Sequence, residues 1–243
     1  MHSIWLPITL TFVLAGVVKG VTGMGLPTVS MGVLGLLMPP ANAASLLLIP
    51  SLVTNVWQFA AGPNRMATTR RTWPMLLMIC LGTVASAGLL TAFTSATTAL
   101  GIALILYAVI SLAKIHVAIP RRVEPWLSPL IGATTGVVTG ATGVFVIPAV
   151  PYLQAIGLQR DDLVQALGLS FTVSTVALAI GLAAHGALHV NAGATSLLCT
   201  IPALLGMFLG QAIRTRVDPA TFRLCFFIAL LLLGADLAAR ALT

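Results

Sequence analysis

The chain has 243 residues, of which 58% are hydrophobic and only 7% charged, against about 25% charged in a soluble domain. So few charges cannot cover a water-soluble globule, and the mean hydropathy of +1.07 agrees. The net charge of +7 does not mark a nucleic-acid surface, because no basic run exceeds two residues; it fits Lys and Arg retained on the cytoplasmic side of a membrane.

The N-terminus, MHSIWLPITL, lacks a Lys/Arg-rich n-region, and no A-x-A site closes its apolar run, so it is read as the first membrane element. Residues 4–18 are apolar and lead into GVVKGVTGMGLP at 16–27. A second apolar piece, 27–38, ends at Pro39-Pro40. A crossing takes about 20 helical residues at about 1.5 Å each, so neither piece is expected to span alone. Residues 42–61 form a full span, with Asn42 placed to cap it. After a polar loop with Arg65, Arg70 and Arg71, full spans are expected over 73–92 and 97–115.

The connection at 116–126 carries Pro120, Arg121, Arg122 and Glu124 and divides the chain into two repeats, 1–118 and 119–243. Residues 136–143 read GVVTGATG, matching six of the eight positions of GVVKGVTG at 16–23, an offset of 120 residues. Short pieces at 127–140 and 147–157 flank this second copy. Full spans follow at 163–184, 192–212 and 219–240, the first opening on Asp161 and Asp162, where carboxylates suit a helix N-terminus. Cys80, Cys199 and Cys225 fall in apolar segments without a CxxC, which predicts packing and no disulfide or metal site.

Charge placement predicts how the short pairs run. If each pair enters and leaves on one face, Arg65, Arg70, Arg71, Lys114, Arg121, Arg122, Arg160, Arg214, Arg216 and Arg223 share a face and only Arg240 lies opposite, a split of ten to one. If each pair were a single crossing, the split would be seven to four. The positive-inside rule selects the first. The fold expected is therefore an all-α polytopic membrane protein, an inverted repeat whose halves each hold a broken or re-entrant helix pair plus three transmembrane helices. Both termini are then external or periplasmic, in a cell (inner) membrane.

Irregular backbone survives at membrane depth only where it is buried in protein or faces a polar cavity. Gly16, Gly20, Gly23 and Gly25 are expected to open one break, and Gly136, Gly140 and Gly143 another, with Pro27 and Pro148 in the first turn of the helix that follows each. Helix N-termini facing the breaks would attract an anion, and Thr22 and Thr142 each add a hydroxyl. Lys19 is the one cation set well inside a membrane segment, a position that usually marks a substrate path; its counterpart is Thr139. The two breaks are expected to meet near the midplane in one polar cavity. Against this stand close helix packing by the glycines, snorkelling of Lys19 and bonding of Thr22 and Thr142 to their own backbone. Ser51, Thr54, Asn55 and Gln58 on the third element, and Ser170, Thr172, Ser174 and Thr175 on its cognate, line a path or bond between helices. Asp236 and Arg240 read as a local ion pair, with a proton relay as the alternative. His185 and His189 are expected to meet water.

The repeated Gly-rich, proline-terminated break, carried by Gly20, Thr22, Gly23, Gly25 and Pro27 and by Gly140, Thr142, Gly143 and Pro148, resembles the sulfite exporter TauE/SafE family of membrane permeases. Phe145 stands where the first copy has Gly25. The resemblance implies transport of sulfite, sulfonates or related sulfur-containing anions. The function expected is a secondary transporter, an exporter of small anions, with Lys19, Gly20, Thr22, Gly23, Gly25, Pro27, Asn55, Thr139, Gly140, Thr142, Gly143, Pro148 and Ser170 at the substrate. An anion channel on the same scaffold is the alternative. An intramembrane enzyme ranks last, since Ser170 in GLSF lacks a GxSxG setting and no carboxylate pair is expected to be buried. No cofactor, metal or nucleic acid is expected. The partners expected are the small anionic substrate and the lipid bilayer, with a coupling proton or ion and a homodimer as further candidates.

Overall fold

The computed structural model describes residues 2–113, 118–188 and 190–240; Lys114 and His189 lie outside them. The described residues form ten α-helices and no strand: α1 (His2–Thr22), α2 (Leu26–Leu34), α3 (Pro40–Ala60), α4 (Arg65–Ser86), α5 (Phe93–Leu112), α6 (Glu124–Thr142), α7 (Ala149–Ala155), α8 (Arg160–Ala184), α9 (Val190–Ile213) and α10 (Pro219–Arg240). A 3-10 segment, Ala87–Thr91, extends α4. Six of the helices are long and apolar enough to cross a bilayer, which makes this a multi-pass membrane protein.

Three expectations change here. Residues Trp5–Thr22 are among the six candidate spans, so the first element is long enough to cross on its own, and of the first pair only α2 is a short piece. Gly16 and Gly20 lie inside α1, and Gly136 and Gly140 inside α6, so none of these four opens a break. The reason is packing. A Cβ on Gly16 would land on the Ala203 carbonyl oxygen, and one on Gly20 on that of Met207. A Cβ on Gly136 would stand 2.6 Å from the Ile79 carbonyl oxygen, and one on Gly140 would land on Ser86 Oγ. Small residues four apart let helix backbones approach closely, the usual device where lipid supplies no hydrophobic drive for helix association. Asn42 also shifts in role, from cap to first turn, because α3 starts at Pro40 and Asn42 N–H donates to the Pro39 carbonyl (3.0 Å).

The order long, short, long, long, long runs through α1–α5 and again through α6–α10. The main packing pairs are unchanged when the two sets are exchanged: α1 with α9 answers α4 with α6, α3 with α9 answers α4 with α8, and α3–α8 and α5–α10 answer themselves. Neighbours along these pairs fix the directions. Gly16 meets Ala203 and Gly20 meets Gln211, so α1 and α9 run parallel; Gly132 meets Met75 and Gly140 meets Ala87, so α6 and α4 do too. Ser51 bonds Thr175 while Gly168 meets Phe59, so α3 and α8 are antiparallel. Gly35 meets Leu100 and Leu237 while Gly32 meets Leu104 and Leu233, so α5 and α10 are antiparallel as well.

These directions gather Arg65, Arg70, Arg71, Arg121, Arg122, Arg160, Arg214, Arg216 and Arg223 at one end of the bundle, with Arg240 at the other. Arg71 at that basic end makes a bidentate pair with Glu124 (3.0 and 2.7 Å) and donates to the Ile156 carbonyl just past α7 (2.7 Å). At the other end Arg240 pairs with Asp236 (2.9 Å), as the spacing predicts, and reaches the Leu36 carbonyl just past α2 (3.4 Å). Each short helix thus ends under an arginine from another helix, a favourable charge for exposed C-terminal carbonyls.

Candidate anion site at the first helix break

The repeated motif ends both α1 and α6 in the same way. Gly23 and Gly143 take left-handed φ of 79° and 71°. Their N–H groups donate back to Lys19 O (2.7 Å) and Thr139 O (2.8 Å). Glycine suits this because a Cβ would be strained there. The threonine before each glycine finishes the stop. Thr22 Oγ1 donates to Val18 O (2.8 Å) or Met24 O (2.7 Å) and accepts from Met24 N–H (3.2 Å). Thr142 Oγ1 donates to Val138 O (2.6 Å) and accepts from Val144 N–H (3.1 Å). Both hydroxyls therefore bond their own backbone, the bland alternative of the sequence reading, and serve as helix stops.

Beyond the stop the two copies diverge. Gly25, with φ of 104°, turns the chain straight into α2, where Pro27 sits in the first turn. Phe145 holds the equivalent place in the second copy, and α7 begins only after Pro148. Val144, Phe145 and Val146 are fully buried, the Phe145 ring 6.3 Å from that of Phe171. A Cβ on Gly143 would stand 2.8 Å from the Met31 methyl of α2. The second break is thus filled with apolar side chains and plugged by the short helix of the first.

The first break opens on a cavity of about 370 Å³ lined by Lys19, Gly20, Gly23, Thr54, Trp57, Gln58, Asp161, Val164, Gln211 and Arg214, among others. Its wall comes from α1, α3, α8 and α9, at the basic end of the bundle. Of the predicted site residues only Lys19, Gly20 and Gly23 line it; Thr22, Gly25, Pro27, Asn55, Thr139, Gly140, Thr142, Gly143, Pro148 and Ser170 do not. The shared cavity expected of the two breaks is therefore served by one break among the described residues. Thr139 turns its hydroxyl to Val144 O (3.3 Å), within its own break.

Lys19 is 2% exposed, which excludes snorkelling to water. Its Nζ donates to Asn55 Oδ1. Asn55 Nδ2 donates to Ser51 Oγ (3.0 Å), which meets Thr175 Oγ1 (3.2 Å) on α8. This chain of polar groups joins α1, α3 and α8 and absorbs Asn55, Ser51 and Thr175 from the predicted polar faces. Ser170, also predicted, is fully buried on α8 and, among the described residues, its hydroxyl has no hydrogen-bond partner, as is true of Thr28, Ser30, Thr83 and Ser174. Among the described residues no carboxylate pairs with Lys19. A buried cation left without a counter-charge is costly. The cavity's charged groups are two cations, Lys19 and Arg214, against one carboxylate, Asp161.

Asp161, Gln211 and Arg214 line the cavity but carry no distinctive sequence signal; two of them read as ordinary helix-end charges. His185 ends α8 with Nδ1 against Gly181 O (2.8 Å). The family model described as Sulfite exporter TauE/SafE matches residues 8–237, nearly the whole chain. No curated protein and no solved structure gave a significant match.

Proposed function

Because the chain belongs to the sulfite exporter TauE/SafE family, we propose that it is a secondary transporter that exports small sulfur-containing anions, sulfite or sulfonates, by alternating access. The observation that carries this reading is Lys19: a buried ammonium in the wall of a polar cavity, with an amide oxygen for a partner and, among the described residues, no carboxylate. An anion entering that cavity supplies the missing counter-charge. Charge-assisted hydrogen bonds from an ammonium to an oxyanion are about twice as strong as neutral ones. Arg214 and Gln211 offer further donors, while Asp161 disfavours a second anion.

The two repeats, 1–118 and 119–243, are proposed to be inverted copies in the inner membrane, with the basic end cytoplasmic and both termini outside. The antiparallel runs of α3 against α8 and of α5 against α10 support this, since helices related by an axis along the membrane normal would run parallel. The cavity then faces the cytoplasm, the side from which an exporter loads. The two breaks supply hinge points at the ends of α1 and α6, and the plugged second break is the counterpart that would open on the outward stroke.

Proteoliposome flux with sulfite, thiosulfate, sulfate and short alkanesulfonates tests the proposal. Saturable flux of at least one sulfur oxyanion, accelerated by the same anion on the opposite side, is expected. Flux that rises linearly with concentration and shows no such acceleration supports a channel on the same scaffold; no flux of any of the anions overturns both.

A further inference from the structure

We propose that Gln58 is a positioning residue for the anion site, holding the first break in shape for an anion without donating to the anion itself. This rests on the anion reading above. The Gln58 carboxamide donates to two backbone carbonyls, Gly23 O at 2.9 Å and Val164 O at 2.8 Å. Both its N–H bonds are spent, so none is left for a substrate. Gly23 O is a helix-end carbonyl in the left-handed turn of the break, in the wall of the cavity. An unpaired carbonyl oxygen there would repel an anion and be costly to bury. Gln58 takes up that acceptor and pins the break to α8, leaving Lys19, one turn earlier, as the group that meets the anion.

The other half supplies a counterpart without the same access. Gln165 on α8 donates to Phe59 O on α3 (2.9 Å), and its Oε1 accepts from Asn64 N–H (2.9 Å). The two glutamines thus clasp the α3–α8 crossing reciprocally, each reaching the carbonyl beside the other. Gln165 is fully buried and does not line the cavity. If Gln58 were only a brace, the two residues would be interchangeable in effect.

Methionine keeps the length of glutamine and removes the amide, so Gln58→Met and Gln165→Met form the comparison. Both are expected to lower the melting temperature in detergent. Gln58→Met should also raise KM for sulfite at least tenfold in proteoliposomes, with kcat within twofold, and speed amide exchange across residues 22–26. Gln165→Met should leave KM and that exchange within twofold of the parent. Equal changes in both variants, or a Gln58→Met variant with unaltered KM and exchange, overturn the proposal. If the parent carries another sulfur oxyanion and no sulfite, KM is read with that anion; if it carries none of them, the anion reading falls, and exchange at 22–26 alone decides whether Gln58 holds the break.

Discussion

At the scale of single residues, glycines of one sequence motif do two kinds of work. Gly20 and Gly140 let α1 and α6 press against α9 and α4, whereas Gly23 and Gly143 stop the same helices by taking a positive φ. Alanine at each should cost stability for different reasons. At Gly140 the methyl would stand 2.6 Å from Thr83 O and collide with Ser86 Oγ; overpacking of about 1–3 kcal/mol outweighs the gain of about 1 kcal/mol in helix propensity. At Gly23 the nearest atom is a Val164 methyl at 3.7 Å, so the cost is the left-handed backbone alone, about 1–2 kcal/mol. Gly193 is the control, because nothing lies within 4 Å of an added Cβ and the residue is helical. Thermal melts in detergent should rank Gly193→Ala at or above the parent and both Gly140→Ala and Gly23→Ala below it; a destabilised Gly193→Ala would contradict this packing account. The motif itself was legible in the sequence. The division of labour was not, since GVVKGVTG carries both spacings at once and only a packed neighbour tells them apart.

At the scale of elements, each short helix depends on an arginine delivered by another helix. Arg71 and Glu124 are 23% and 12% exposed and join α4 to α6, and through Ile156 O to the end of α7. Glu124→Gln should destabilise by about 1–3 kcal/mol, between the cost of breaking an exposed and a fully buried pair. Arg71→Lys should also destabilise, because an ammonium cannot make the two-pronged contact and reach Ile156 O as well. Melting temperatures of the two variants check this, and an Arg71→Lys variant as stable as the parent would contradict it. The helices from α3 onward were legible from apolar runs and helix-end charges. The length of α1 was not, because Gly16 and Gly20 read as breakers until α9 is seen against them. Gln165 was illegible too: one amide in an apolar helix carries no signal until Phe59 O lies opposite.

At the scale of the whole molecule, charge distribution and helix direction tell one story. A single cysteine at Ala67, in a chain whose three native cysteines are replaced, should resist an impermeant thiol reagent in intact cells, while one at Leu188 should react. Labelling at Ala67 from outside would reverse the proposed orientation. The gathering of the arginines at one end of the bundle was readable before any packing was known, because retention of Lys and Arg on one side is a property of the chain; which side that end faces is what the labelling decides. The asymmetry of the two breaks was only half readable: Phe145 in place of Gly25 marks the difference, but Met31 against Gly143 supplies the plug.

The central claim is that Lys19 is the cation that holds the transported anion. It is tested most directly by equilibrium binding of sulfite to purified, monodisperse Lys19→Met beside the parent. Removing a charge-assisted hydrogen bond of about 1.5–3 kcal/mol should weaken binding roughly ten- to a hundredfold. The fold should survive, because an apolar side chain is cheaper to keep at membrane depth than an ammonium. A well-folded Lys19→Met protein that binds sulfite as tightly as the parent would contradict the account.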